Sequence, residues 1–255
     1  MHMFDLTIGG QPILIHVPHA GQQLPDTITP DRFADPTAVD HLYRNIRDMH
    51  ADTIGSELAD RLDASMMLNH MSRIWVDVER YPDDREEMNR VGMGVIYTHD
   101  MNGRPLYQPG REPDGRERGQ RLNRLYRPWH ATFTNTIRMM LDIHDRATII
   151  DLHTYPKTPL PFERHRDEPR PQIILGVNND EPSRRLAILL HKRLHDASLT
   201  VGVNTAYKGS ITPNLPPDPR FDAIMLEIRQ DTAGDRILRQ RIIDTTVRTL
   251  MEAGR

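Results

Sequence analysis

The chain has 255 residues, 33 Lys and Arg against 36 Asp and Glu for a net charge of −3, and no cysteine. That length suits a single α/β domain over residues 1–255, with enough interior to fold without a covalent staple. Lack of cysteine excludes disulfides, thiolate metal sites and cysteine nucleophiles. The interspersed charges lack the basic excess on one face that marks a nucleic-acid binder.

The opening residues MHMFDLTIGG carry no charged region followed by a long apolar core, so no signal peptide is expected. No apolar run approaches the ~18 residues that cross a bilayer. The expected setting is the cytoplasm, with neither a membrane nor a nucleic acid as partner and the oligomeric state left open. The first strand is predicted at 12–17 (PILIHV), a short apolar run bounded by turn residues. Val39, Leu42, Tyr43, Ile46, Ile54, Leu58 and Leu62 then keep the three-and-four spacing of one helical face. Two strands follow closely, SMMLNHM (65–71) and RIWVDVE (73–79). Residues 81–115, rich in Gly, Pro and charge, predict an excursion in the position of a lid.

The Arg-rich stretch 111–127 also carries Glu112, Asp114 and Glu117, and reads as a solvated helix face. A second long helix runs through Leu122, Leu125, Trp129, Phe133, Ile137, Met140 and Leu141, followed by a strand at 147–153 (ATIIDLH). Strands at 171–177, 199–204 and 222–229 (DAIMLEIR) alternate with helices through Leu186–Leu194 spacing and over 234–253. Apolar strands alternating with helices imply a three-layer α/β fold, a mostly parallel sheet flanked on both faces. Proline-rich stretches at 155–171 and 213–219 predict long functional loops beside strand ends.

In such a sheet ligands bind beyond the carboxyl ends of the strands. The first strand ends in Val17-Pro18-His19-Ala20-Gly21, and IIDLH ends in His153, with Asp151 on the same strand face. Glu227 is an acid within the apolar run AIMLEI. Each has a bland reading: a loop histidine, a second loop histidine, a carboxylate paired with Arg229. Their convergence at one sheet edge suits a catalytic metal, which takes three His or carboxylate ligands and leaves a position open, with a nearby carboxylate to accept the proton of water. For the third ligand Asp48 and Asp52 stand i, i+4 on the predicted 39–62 helix; His50 points elsewhere and is the weaker candidate. Arg73 and Arg80 bracket RIWVDVE and suit bidentate capture of a carboxylate, or pairing with Asp77, Glu79 or Asp83.

At these residues the sequence resembles the N-formylglutamate amidohydrolase family. The matching segments are Val17-Pro18-His19-Ala20-Gly21, the Asp48 to Asp52 stretch, Ser72-Arg73-Ile74-Trp75-Val76-Asp77-Val78-Glu79-Arg80, Ile150-Asp151-Leu152-His153-Thr154 and Met225-Leu226-Glu227-Ile228-Arg229-Gln230-Asp231, in the family's order. The resemblance implies kinship with zinc carboxypeptidases and aspartoacylases and a mixed sheet between helices. It implies hydrolysis of a small N-acyl amino acid bearing a carboxylate, such as N-formylglutamate. It further implies His19 and His153 as ligands of Zn2+, Glu227 as general base, and Arg73 and Arg80 on the substrate's carboxylates. Two departures stand out. Gln22 occupies the place of the carboxypeptidases' glutamate ligand, so Asp48 is the expected substitute. Glu79 stands where the family often has Asn, beside the expected anion site.

In the mechanism expected from these residues Glu227 takes a proton from water, and an arginine, Arg80, stabilises the developing oxyanion. Tyr155, Asn204, Lys208 and Gly209 are expected pocket residues. Manganese, iron or cobalt would suit the same ligands. The rival expectations are a carboxypeptidase or peptide amidase with the same site, and a non-catalytic binder of small carboxylates.

Overall fold

A computed structural model describes residues 2–163 and 166–254. In chain order the elements are β1 (Phe4–Thr7), β2 (Gln11–Val17), α1 (Pro36–Ile46), α2 (Ala51–Leu62), β3 (Ala64–Asn69), α3 (Gly115–Arg121), α4 (Arg127–His144), β4 (Ala147–Tyr155), β5 (Ile173–Val177), α5 (Glu181–Asp196), β6 (Val201–Val203), β7 (Phe221–Arg229), α6 (Gln230–Gly234) and α7 (Arg236–Glu252). The strands form one mixed sheet in the order β1-β3-β2-β4-β7-β5-β6. β3, β2, β4 and β7 run parallel; β1 is antiparallel to β3, and β5 to β7.

Side-chain alternation sorts the residues of β2 into two cores. Ile13, Ile15 and Val17 enter the layer under α2, α5 and α7, with Ile54, Leu190 and Ile243. Leu14 enters the opposite layer, where Trp129, Phe133, Ile137 and Met140 of α4 cover the sheet. β4 is buried over all nine of its residues, as a central parallel strand covered on both faces must be. These two faces make the expected three-layer arrangement.

Three elements differ from the sequence reading. Apolar spacing predicts one helix from Val39 to Leu62, but the chain breaks between α1 and α2 at residues 47–50. His50 takes a left-handed φ of 71° there. Periodicity does not sense such a break, because both helices bury one face. Residues 73–79 are not a strand: the backbone bonds locally, Trp75 N–H to the Ser72 carbonyl and Arg80 N–H to that of Asp77. Ile74, Trp75, Val76 and Val78 are buried because this turn lies under other chain, not because it joins the sheet. Finally, the 81–115 excursion is no loose flap. Met93, Tyr97, Met101, Leu106 and Tyr107 pack with Val39, Leu42 and Ile46 of α1 into a third core. β1, too polar and short to stand out, pairs along the sheet edge.

Candidate active site

Beyond the carboxyl ends of β2, β4 and β7 lies a cavity of about 1430 Å³. His19, Asp48, Glu79, Asp151, His153 and Glu227 are all in its wall. Both proline-rich loops contribute, through Pro156, Leu160 and Phe162 and through residues 213–219.

His19 sits two residues past the end of β2. Its turn is set by close backbone approach: a Cβ on Gly21 would stand 2.3 Å from the His70 carbonyl carbon, so no side chain fits. The His19 carbonyl accepts the Asp48 N–H at 3.1 Å, which ties the break between α1 and α2 to the end of β2. Carbonyls freed by that break are bonded in turn, Arg47 by Gln230 (3.0 Å) and Met49 by the Thr154 hydroxyl (3.0 Å). The interruption therefore has a positional result: it presents Asp48 to the histidines.

His19 Nε2 donates to Asp77 Oδ1 at 2.8 Å. Asp77 is fully buried and also accepts from Arg73 Nε (2.9 Å), Tyr97 Oη (3.1 Å) and the Glu79 N–H (3.0 Å). Burial pushes its carboxyl up, but Arg73 and His19 outweigh that and hold it well below the usual range. An ionised Asp77 only accepts, so Nε2 carries a proton, and Nδ1 is turned toward Glu79 Oε2 and Asp48 Oδ2, 3.6 and 3.8 Å away. Nδ1 is buried with no hydrogen-bond partner.

His153, on β4, stands 5.1 Å from His19, centroid to centroid, with the two rings tilted by 54°. Its Nδ1 donates to Asp48 Oδ2 at 2.8 Å. Its Nε2 lies 3.0 Å from Glu79 Oε2 and 3.2 Å from Asp151 Oδ1. Burial alone would depress this imidazole, but Glu79, Asp151 and Asp48 hold it well above its usual range. Glu79 Oε2 is also 3.6 Å from His19 Nδ1. One donor atom from each of His19, Glu79 and His153 thus falls within 4.8 Å of the other two, a grouping able to hold a metal ion. Asp48 stands outside that group; at 3.8 Å from His19 Nδ1 it is bonded to the far nitrogen of His153.

Glu227 is in register with His153 on the neighbouring strand. Burial, reinforced by Asp48, Glu79 and Asp151 against the pull of His153, raises its carboxyl to about 8.

The other sequence candidates divide. Arg80 lines the cavity, its nearest acids being Asp77 at 3.7 Å and Glu86 at 3.6 Å, and its Nε is buried with no hydrogen-bond partner. Arg73 also lines the cavity, but its guanidinium is held by Asp77 through Nε and, at 2.7 Å, through its terminal nitrogen. Of the two readings weighed for Arg73, the contacts match pairing with Asp77. Tyr155, Lys208 and Gly209 line the cavity, the Tyr155 hydroxyl being tied to the Pro171 carbonyl. Asn204 is not in the wall; its amide brackets the backbone of Val177 and the Gly209 N–H, shaping the loop on which Lys208 sits. Asp52 is half-buried on α2 near Arg47 (3.5 Å), and His50 occupies the N-cap position of that helix without a side-chain capping bond. What sequence reasoning missed is Glu79 as a donor and Asp77 as the brace of His19. The spacing Asp77-x-Glu79 was the available signal, but reading the segment as a strand turned the two carboxylates into neighbours of an anion site.

The fold is thus a mixed three-layer α/β sheet that carries, at the carboxyl edge of its strands, a His/Glu/His group able to hold a metal ion, with both histidines buried and Glu79 partly so. The sequence profile of the N-formylglutamate amidohydrolase family matches residues 11–233. The chain belongs to the N-formylglutamate amidohydrolase family. N-formylglutamate deformylase of Pseudomonas putida is 26% identical over 146 residues, 57% of this chain and 52% of that protein. Its counterpart in Pseudomonas aeruginosa is 27% identical over 146 residues, again 57% of this chain and 53% of the relative. The match thus spans about half the length of these curated relatives. The fold resembles the crystal structure of N-formylglutamate amidohydrolase from Ralstonia eutropha JMP134, with a TM-score of 0.82 at 22% identity, covering 99% of this chain and 98% of that one. A gene product of Agrobacterium tumefaciens superposes with a TM-score of 0.76 at 19% identity, over 99% and 96% of the two chains.

Proposed function

We propose that this chain, acting as one domain over residues 1–255, hydrolyses the amide bond of a small N-acyl amino acid, N-formylglutamate-like, with a divalent metal held by His19, Glu79 and His153. The observation that carries this reading is the convergence of those three donors beside a buried carboxyl, Glu227, on the next strand. The family and the names of its curated relatives support it.

The residues fit a metal. His19 Nδ1 is a buried polar atom with no hydrogen-bond partner, a costly state that a cation relieves. Each imidazole has a carboxylate on the nitrogen turned away from the group, Asp77 on His19 and Asp48 on His153. Such outer carboxylates orient metal-bound imidazoles and raise their basicity. Two imidazoles and a carboxylate suit Zn2+, and also manganese, iron or cobalt. In this reading Asp48 braces His153 rather than serving as the third ligand, and Glu79, which as a free charge would repel an acidic substrate, is neutralised by the ion.

When bound, the cation supplies Lewis acidity and brings water toward hydroxide near neutral pH. Glu227 receives the proton of the attacking water on a carboxylate oxygen and passes it to the departing amine nitrogen. Its burial-raised affinity for a proton suits both steps near neutrality. Arg80 is the cavity guanidinium not closely paired, and it holds the substrate's carboxylate or the developing oxyanion. Arg73 acts at one remove, fixing Asp77 and so His19.

One observation favours a second reading. Pockets for drug-sized ligands run to roughly 300–1,000 Å³, and this cavity is larger. A peptide amidase or carboxypeptidase with the same site would use that space. Purification without chelator, metal quantification and a panel of N-formyl amino acids, N-acetyl amino acids and dipeptides test both. The expected result is bound divalent metal with hydrolysis of the N-formyl compounds, abolished by chelation and restored by metal. Preference for dipeptides would move the assignment to the second reading. No metal and no metal-dependent thermal shift would leave a small-carboxylate binding protein.

A further inference from the structure

Next to the proposed metal group, and deeper in the molecule, lies a second set of donors that the proposed reaction does not use. His16 of β2 is one residue before the end of that strand and fully buried, its ring stacked on Phe133 at 4.5 Å. It pairs across the sheet with Asp151 of β4. His16 Nδ1 is 2.8 Å from Asp151 Oδ1 and 3.8 Å from Glu79 Oε1. Donor atoms of His16, Glu79 and Asp151 all lie within 4.8 Å of one another.

Glu79 belongs to both groups, one oxygen to each. Oε2 faces His19 and His153, whereas Oε1 faces His16, and Oε1 is buried with no hydrogen-bond partner. Asp151 is braced like a ligand: its other oxygen, Oδ2, accepts from the Ser210 hydroxyl (3.2 Å) and the Ile211 N–H (3.3 Å). Charge points the same way. Asp48, Asp77, Asp151 and Glu227 are buried here and Glu79 nearly so, with Arg73 bonded to Asp77 and Arg80 3.7 Å from it. Buried carboxylates are stable when paired or coordinated, and a cation between Asp151 and Glu79 would coordinate both.

The geometry points to a second divalent cation, held by His16 Nδ1, Asp151 Oδ1 and Glu79 Oε1, with the Glu79 carboxylate bridging it to the ion of the proposed active site. This rests on the proposed assignment of Glu79 to that first ion. The donors, one imidazole and two carboxylates, take a hard to borderline ion such as Mn2+, Co2+ or Zn2+. Bridged pairs of this type occur in hydrolases with ions roughly 3.5–4 Å apart.

The test uses the full chain, stripped with chelator, dialysed against Zn2+ and, separately, Mn2+, with metal counted per chain and Mn2+ spectra recorded by electron paramagnetic resonance. Two equivalents with an exchange-coupled Mn2+ signal are expected. His16→Gln and Asp151→Asn should each bind one equivalent, with the coupled signal gone and the first ion retained. Should one variant fail to fold, the other and the wild-type spectrum still decide. One equivalent in the wild type, or two in both variants, overturns the bridged site while leaving the first ion in place. No bound metal in the wild type overturns the active-site assignment with it.

Discussion

At residue scale the site is a set of buried charges held apart by specific partners, and two consequences follow. Glu227 is raised to about 8 by burial, so between its ordinary value and that pH the folded chain holds a proton that the unfolded chain has released. Folding stability of the metal-free protein should then fall as pH rises through this window, on the order of a few kcal/mol from this group. Glu227→Gln removes the effect. Chelator-treated melts should show the variant gaining on the wild type between pH 5 and pH 8, and parallel melting curves at both would refute the burial argument. With metal present the same variant should keep its ion and lose at least ~10²-fold in turnover, as removal of a general base does; near-normal activity would take Glu227 out of the mechanism. His153 gives the opposite readout. Surrounding carboxylates hold a proton on it well above the usual histidine range. Metal binding must displace that proton, so affinity should fall steadily as pH is lowered, with proton release visible by calorimetry in buffers of different ionisation enthalpy. Binding without proton release would contradict it.

The elements explain how residues far apart in sequence meet. β2, β4 and β7 are adjacent and parallel, so His19, His153 and Glu227 share one edge. That much was legible: apolar runs bounded by turn residues mark the three strands, and polar residues at or just beyond their ends stand out. The break between α1 and α2 and the local turns of residues 72–80 were not legible. In both places burial continues across a change of backbone geometry, and hydrophobic pattern reports burial. Asp48 and Glu79 lie on these two segments, which is why the third ligand was the uncertain one. Gly21 tests the element scale. Gly21→Ala brings a Cβ against the His70 carbonyl and should destabilise the fold by roughly 1–3 kcal/mol. Because the turn carries His19, metal affinity should fall as well. A variant with wild-type melting and metal binding would show that the turn has room to spare.

Across the whole molecule, the three cores divide the work. Two clamp the sheet, and the third, built largely from α1 and residues 74–107, supports the wall that carries Glu79 and Arg80, with Asp77 buried behind it. Among the described residues no helix is long and apolar enough to cross a membrane. The family match runs from β2 into α6 and takes in all the site residues, while β1 and α7 lie outside it. The account reduces to a claim about which side chains hold an ion, and variants of the two competing carboxylates test it most directly. Zn2+ is titrated into chelator-stripped wild type, Glu79→Gln and Asp48→Asn, each checked for folding by circular dichroism. The account predicts that Glu79→Gln loses tight binding, whereas Asp48→Asn keeps it, weakened about 10- to 100-fold as for other outer carboxylates. Wild-type affinity in Glu79→Gln together with complete loss in Asp48→Asn would contradict it.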